Sequence, residues 1–328
     1  MTLISSSSSK TINKASDILL SGGLVAVPTE TVYGLAANAL DGKAVAGIFT
    51  AKERPSFNPL ISHFHNIQQM EEYVELNDTA RSIAQKFWPG ALTMILPKKP
   101  NSKISDLVTA GLNTMAVRIP ASKAMLSLLQ QVNVPLAAPS ANKSGSPSPT
   151  TAQHVAESLG DNVDLIIAAG KCNVGIESTI IDLTADKVVI LRAGIITAED
   201  LETVLGYNPE YDFGNHDKPK SPGQILKHYS PSIPVRLNAV DIRDGEALLA
   251  FGSTKFMGLT SGGFAESLPD HAIRNLSETG DLYEAAANLF AMLRELDNAG
   301  NKSIAIMNIP NENVGIAIND RIRRASLS

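Results

Sequence analysis

The sequence has a single cysteine, Cys172, so no intrachain disulfide and no cysteine-based metal cluster can form. With no second thiol to pair with, Cys172 reads as a half-buried side chain in a reducing compartment. A basic excess is missing too. None of residues 1–205, 206–232 or 233–328 holds more Lys and Arg than Asp and Glu, and the formal net charge is −5. Non-specific binding to a phosphate backbone needs such an excess, which disfavours a dedicated nucleic-acid binder. No apolar run approaches the ~18 residues of a membrane-spanning helix, so no membrane partner is expected. The serine-rich start, Met1 to Lys10, lacks the basic-then-apolar order of a signal peptide and reads as a floppy terminus. A soluble, cytoplasmic protein is expected.

The familiar site fingerprints are absent as well. There is no G-x-x-x-x-G-K-[ST] loop, no G-x-G-x-x-G after a strand, no H-E-x-x-H, no His/Asp cluster at metal-ligand spacing and no G-x-S-x-G elbow. A nucleotide, if one is used, must be held by a less common device.

What is present is an ordinary globular balance, 44% hydrophobic and 19% charged over 328 residues, enough for about two domains. Short β-branched runs at 24–27, 93–96, 115–119, 136–138, 165–168, 179–183 and 188–191 predict strands. Residues 79–87, 123–131 and 152–159 predict helices, the last stopped by Gly160. Many strands and few long helices imply an α/β fold on a twisted, mixed sheet. Pro209, Pro219, Pro222 and Pro231 mark 206–232 as an irregular linker. Beyond it, strands at 235–237, 248–251 and 304–307 and helices at 281–299 and about 314–324 predict a small second α/β domain. Gly300 is the expected C-terminal stop of the first of those helices. The division is 1–205, 206–232 and 233–328.

Four polar clusters stand out. Pro28 to Gly34 follows a strand where an α/β sheet opens its ligand crevice, although a capped turn leading into a helix explains it equally well. Lys52 and Arg54, ahead of Pro55, combine a point charge with a fixed fork of donors, as a polyphosphate requires; a solvated helix end is the plainer reading. His63, a few residues on, is more often a satisfied histidine than a ligand. Residues 139–150 crowd hydroxyls and amides between a strand and a helix start, fit either for phosphates or for a flexible loop capped by Thr150 or Thr151. Arg118, Ser178 and Arg192 lie at strand ends, where a lone arginine is usually a weak surface ion pair.

Together these segments resemble the YrdC-like family of threonylcarbamoyl-AMP synthases. The resemblance runs through PTETVYG (28–34), KERP (52–55), NPLI (58–61) with His63, PGALT (89–93), VRIP (117–120), APSANKSGSPSPT (138–150), ESTIID (177–182) and LRAG (191–194). SPGQILKHYSP (221–231) and AINDRIRRAS (317–326) resemble the longer members, which add a linker and a C-terminal domain. The resemblance implies a twisted mixed sheet around a concave cavity, with a smaller α/β, Rossmann-like C-terminal domain. It implies an enzyme that turns L-threonine, bicarbonate and ATP into threonylcarbamoyl-AMP, pyrophosphate and water, for tRNA modification next to the anticodon.

By the same resemblance, Lys52 and Arg54 are the catalytic cations. With Asn58, Thr114, Ser140, Asn142, Ser148 and Arg192 they would bind ATP. Thr31, His63, Arg118, Ser178 and the backbone at Ala138 would bind threonine, and His228 and Tyr229 would act as a lid. Ala193 departs from the family's more usual proline. Mg²⁺ is expected to arrive with ATP, with no dedicated metal site and no tightly bound organic cofactor. The tRNA threonylcarbamoyl transferase machinery is the expected partner, with at most a weak RNA contact. The rivals are a double-stranded RNA-binding module of this fold and a carbamoyl-adenylate-handling domain of the kind used in hydrogenase maturation.

Overall fold

A computed structural model describes residues 3–55, 57–213, 228–255 and 257–327, which fall into two compact units. The first holds residues 1–144, 148–173 and 177–225; the second holds 226–328 with the short pieces 145–147 and 174–176.

The first unit is built on ten strands: β1 (Leu3–Ser6), β2 (Val25–Pro28), β3 (Tyr33–Asn38), β4 (Ile61–His63), β5 (Leu92–Pro97), β6 (Thr114–Arg118), β7 (Leu136–Ala137), β8 (Leu165–Ala168), β9 (Thr179–Asp182) and β10 (Val189–Arg192). They form one mixed sheet in the order β1-β8-β2-β3-β7-β4-β6-β5-β9-β10. The helices are α1 (Ser9–Leu20), α2 (Gly42–Lys52), the single turn α3 (Ile67–Met70), α4 (Asp78–Phe87), the single turn α5 (Asp106–Thr109), α6 (Lys123–Val132), α7 (Ala152–Leu159) and α8 (Ala198–Leu205).

The alternation of strand side chains sends each face of the sheet into its own core. Val25 and Val27 pack with Ile12, Ala15 and Leu19 of α1 and with Leu128 and Leu129 of α6. Ala26 between them joins the other core, with Val45 and Ile48 of α2, Ile83 of α4 and Leu201 of α8. Both faces are covered, which explains why the strands read as continuous apolar runs.

Three expectations are corrected. The N-terminus is not floppy: residues 3–6 pair in parallel with β8, and Ser8 caps α1 by accepting from the Thr11 amide at 3.2 Å. Its serines lie within a paired strand and at a helix cap, positions where polarity is no sign of disorder. Residues 28–34 do not open a helix; β2 pairs antiparallel with β3, Pro28 opposite Tyr33, and the segment is a hairpin turn. The linker starts later than residue 206, because Tyr211 bridges Ile190 and the Ile190 amide donates to Glu210 O at 2.8 Å. The expectations for 214–227 lie outside the described residues.

The second unit carries β11 (Val235–Arg236), β12 (Asp241–Ile242), β13 (Glu246–Ala250), β14 (Gly258–Leu259), β15 (Ile273–Asn275), β16 (Ser303–Ile306), α9 (Leu282–Leu296) and α10 (Val314–Ala325). Four of these strands make an all-parallel sheet in the order β11-β16-β13-β15. Helix α9 buries Ala285, Ala286, Leu289, Phe290, Leu293 and Leu296 along one face. It ends earlier than Gly300. The Asn301 side chain donates to Leu296 O at 2.9 Å, so the last carbonyls are satisfied without a glycine stop. In α10, Arg324 Nε donates to both carboxylate oxygens of Asp320 at 2.9 Å, which accounts for the charged motif at 317–326 as buried structure.

Candidate active site

Three pieces of chain far apart in sequence meet at Arg118. This side chain is buried, at 3% exposure. Its Nε donates to Gly90 O (3.1 Å), Nη1 to Thr31 Oγ1 (3.0 Å) and Nη2 to Glu30 Oε1 (2.6 Å). The second Glu30 oxygen accepts from the Ala121 amide at 3.1 Å, so the carboxylate is fixed at both ends. Gly90 is required here, since a Cβ would stand 2.1 Å from Phe87 O. A buried cation held this way has its fork pre-aimed before any ligand arrives. The hairpin turn contributes a second network: Thr29 Oγ1 donates to Val32 O at 2.7 Å and lies 2.7 Å from Thr31 Oγ1.

His63 ends β4 opposite Arg118 in the parallel register with β6, which places the two side chains on one face. Burial, and then the positive charge of Arg118, push the His63 imidazole down to about 3; contacts with the Ile61 and Leu136 backbones pull weakly the other way. The ring is therefore neutral at any physiological pH. Its Nδ1 is buried with no hydrogen-bond partner among the described residues.

Lys52, the last residue of α2, is 1% exposed, and its Nζ donates to Ser140 O (2.5 Å) and Asn142 O (2.6 Å). Lys52 O in turn accepts from the Ser144 amide at 2.8 Å. The lysine is thus a strut across the 139–150 segment, and a mobile point charge is the wrong description. Burial, followed by the nearby Arg54, holds its ammonium well below the usual lysine range, with Glu177 opposing. Glu53 takes the left-handed conformation that ends α2, and Arg54 Nη2 donates to Pro59 O at 3.2 Å. Asn58 is 1% exposed with Oδ1 unpartnered among the described residues. The 139–150 segment is no flexible loop: Leu35 donates to Pro139 O, Ala141 to Tyr33 O and Tyr33 to Pro149 O, all at 2.8–2.9 Å, and Ala138 to Ile61 O at 3.0 Å. Thr151 is the cap of α7.

Two more pairs complete the picture. Arg192 Nε donates to Ser178 O (3.0 Å) and Nη2 to Ser178 Oγ (3.1 Å), while Thr93 Oγ1 lies 2.7 Å from the same hydroxyl. Ser148 Oγ donates to Glu177 Oε1 at 2.5 Å, both side chains buried. The structure brings Thr31, His63 and Arg118 together, Lys52 with Ser140 and Asn142, and Ser178 with Arg192. It leaves Thr114 apart, at the other end of β6 from Arg118, roughly 13 Å by strand rise. Sequence reasoning missed Thr29, Glu30, Gly90, Thr93 and Glu177. Thr29 bonds within its own turn, to Thr31 and Val32, while the partners of Glu30, Gly90, Thr93 and Glu177 are tens of residues away and carry no sequence signal.

In the second unit, Tyr229 is 1% exposed at φ +66. Its ring stacks on Phe290 (5.2 Å between centroids), His228 packs edge-on at 4.0 Å, and the Arg321 guanidinium lies 5.8 Å over it. Cys172 is fully buried, not half-buried, and its thiol is pushed up to about 12 by burial and then by Glu30. Among the described residues, no group of three or more His, Cys, Asp or Glu could hold a metal ion, and no helix is long and apolar enough to cross a membrane.

Comparison with known proteins bears on this geometry. The family of Sua5, YciO and YrdC proteins, described as Telomere recombination, matches residues 17–194. A second family, described as Threonylcarbamoyl-AMP synthase, C-terminal domain, matches residues 196–326. Threonylcarbamoyl-AMP synthase of Pyrococcus abyssi is 40% identical over 96% of this chain and 94% of its own length. The crystal structure of P. abyssi Sua5 complexed with L-threonine superposes with a TM-score of 0.86 at 36% identity, covering 99% of this chain and 97% of that one. A variant of that Sua5, with an adjacent histidine and tyrosine both replaced by alanine, superposes at 0.85 and 36% identity over 99% and 96% of the chains. With both regions matched in order and the likeness spanning nearly the whole of each chain, this protein belongs to the Sua5/YrdC family, in the branch of threonylcarbamoyl-AMP synthases with a C-terminal domain.

Proposed function

We infer that this chain condenses L-threonine, bicarbonate and ATP to threonylcarbamoyl-AMP, releasing pyrophosphate and water. The observation that carries the reading is the buried Arg118, aimed by Glu30 and Gly90 beside Thr31 and a neutral His63, within a chain of this family. A fixed guanidinium fork with a neutral imidazole beside it suits one amino-acid carboxylate. We assign Thr31, His63, Arg118, Ser178 and the Ala138 backbone to threonine. Lys52, Arg54, Asn58, Thr114, Ser140, Asn142, Ser148 and Arg192 are assigned to ATP, Thr114 on the family resemblance alone.

The chemistry needs no protein nucleophile. The threonine amine takes up bicarbonate or CO₂ as a carbamate, whose carboxylate attacks the α-phosphorus of ATP and expels pyrophosphate. The protein's part is to hold two anionic partners in line and to oppose developing charge with Lys52, Arg54 and Arg192. Mg²⁺ enters as part of the ATP substrate. The P. abyssi variant altered at an adjacent His and Tyr supports a working role for the one His-Tyr pair of this chain, His228 and Tyr229. Tyr229 serves as the anchor of the linker's C-terminal end, given its place in the second unit's aromatic cluster. The product passes to the tRNA threonylcarbamoyl transferase machinery in the cytoplasm.

The test is pyrophosphate release with threonine, bicarbonate and ATP each omitted in turn. Dependence on all three is expected. Release without threonine, or release supported by carbamoyl phosphate, refutes the assignment.

A further inference from the structure

The hairpin turn contains a proton arrangement that is settled by elimination. Thr29 Oγ1 has two short oxygen neighbours, Val32 O at 2.7 Å and Thr31 Oγ1 at 2.7 Å, and a single proton to share between them. Val32 O is a carbonyl and supplies no proton, so an oxygen–oxygen contact of that length requires the Thr29 proton to lie along it. The other contact must then be made by the proton of Thr31, with Thr29 accepting. The amides of Thr31 and Val32 also approach Thr29 Oγ1, each at 3.2 Å; these two longer contacts share one lone pair, and the other takes the Thr31 hydroxyl at 2.7 Å. On its other side, Thr31 Oγ1 accepts from Arg118 Nη1 at 3.0 Å. A hydroxyl has one proton and two lone pairs. Thr31 has therefore committed its proton and one lone pair, and only the second lone pair is left for a ligand.

We propose that Thr29 is a positioning residue that makes Thr31 a pure acceptor, so that Thr31 receives an N–H or O–H donor of the amino-acid substrate and not its carboxylate. This rests on the assignment of Thr31 and Arg118 to the amino acid. It divides the work between them. Arg118, which has only donors, takes the carboxylate, and Thr31 reads either the ammonium or the β-hydroxyl. An amino acid offering no donor at that point leaves a buried lone pair unsatisfied, a strong ground for discrimination.

The test uses the full-length protein with Thr29→Val, which keeps the shape and removes the hydroxyl, and Thr29→Ser, which restores it. Binding of L-threonine, L-2-aminobutyrate and ATP is measured by calorimetry, alongside thermal melting. Loss of one directed hydrogen bond predicts a threonine Kd raised roughly tenfold in Thr29→Val, an unchanged ATP Kd, and recovery in Thr29→Ser. If Thr31 reads the β-hydroxyl, the preference for threonine over L-2-aminobutyrate collapses in Thr29→Val; if it reads the ammonium, both ligands weaken together. Wild-type threonine affinity in a folded Thr29→Val overturns the proposal. So does equal weakening of ATP and threonine with a lowered melting temperature, or a Thr29→Ser protein as impaired as the valine variant. Failure of the wild-type protein to bind threonine at all would instead refute the functional reading beneath it.

Discussion

His63 offers a prediction whose size follows from the structure. Its folded value of about 3 lies well below the usual 6.5, because the charged ring would sit buried beside Arg118. Between these values the unfolded chain binds a proton that the folded chain refuses, so stability rises with pH across the window. The contribution is fully present above pH 6.5 and is lost as pH falls toward 3. Each unit of difference is worth about 1.4 kcal/mol, so the whole effect is about 5 kcal/mol and about 3 kcal/mol of it is already lost at pH 4.5. At 2% exposure the ring has little solvent to screen it. The assay is urea unfolding of wild type and His63→Gln at half-unit steps from pH 4 to 8. Other groups titrate in both proteins and cancel in the difference. Relative to the glutamine variant, the wild type should lose stability from pH 6.5 downward, at a slope approaching 1.4 kcal/mol per unit. A difference that stays flat from pH 8 to 4.5 would refute the claim that His63 is held neutral by burial and Arg118.

Three further outcomes are expected. Gly194→Ala should destabilise the protein by about 1–3 kcal/mol, because its Cβ would lie 2.4 Å from the Thr179 amide and 2.8 Å from the Ser178 carbonyl carbon; a wild-type melting curve would count against this packing. Lys52, with its ammonium held down by burial, should take up a proton when the ATP phosphates arrive. Calorimetry in two buffers of different ionisation enthalpy, repeated at several pH values up to about 10, should show more proton uptake in wild type than in Lys52→Met, and equal proton counts throughout would remove Lys52 from the phosphate site. Glu30→Ala should cost about 3 kcal/mol by leaving Arg118 buried without its anion, and Glu30→Gln less because the amide oxygen still accepts; equal losses in the two variants, measured by denaturant midpoint, would show that charge is not what Glu30 contributes.

Much of this candidate site lies where the sequence marks a break in pattern, for a reason visible in its parts. The chosen residues sit where backbone pattern breaks: Thr31 in a turn after a strand, Lys52 at a helix end, Arg118 and Arg192 at strand ends. Such breaks are local and can be read one at a time. What was not legible depends on pairing across distance. Glu30 looks like a turn carboxylate until Arg118 is brought to it, and Glu177 opens a strand motif until Ser148 donates to it. Strand β1 was hidden because four residues among serines have no periodicity of their own; their structure comes from β8, some 160 positions away. Likewise β4 is three residues long and mixed in polarity, and its pairing with β6 and β7 makes it a strand.

The partners of the cations argue for how the two substrates are divided. Arg118 is bound to a carboxylate, so its charge is largely met before a ligand arrives, and what remains is geometry: an aimed donor face suited to one carboxylate. Lys52 is held by two backbone carbonyls, which fix its position without supplying a formal negative charge. Its electrostatic effect is therefore preserved for a more highly charged partner, and the same burial that disfavours the ammonium makes a polyphosphate the group best able to restore it. Exchanging these environments would exchange the roles. An arginine without Glu30 would attract phosphate indiscriminately, and a lysine salt-bridged in place would have little left for ATP. Specificity for threonine and affinity for ATP are on this account set by what each cation is bound to at rest, and the Glu30 and Lys52 variants separate the two: Glu30→Gln should weaken threonine more than ATP, and Lys52→Met the reverse.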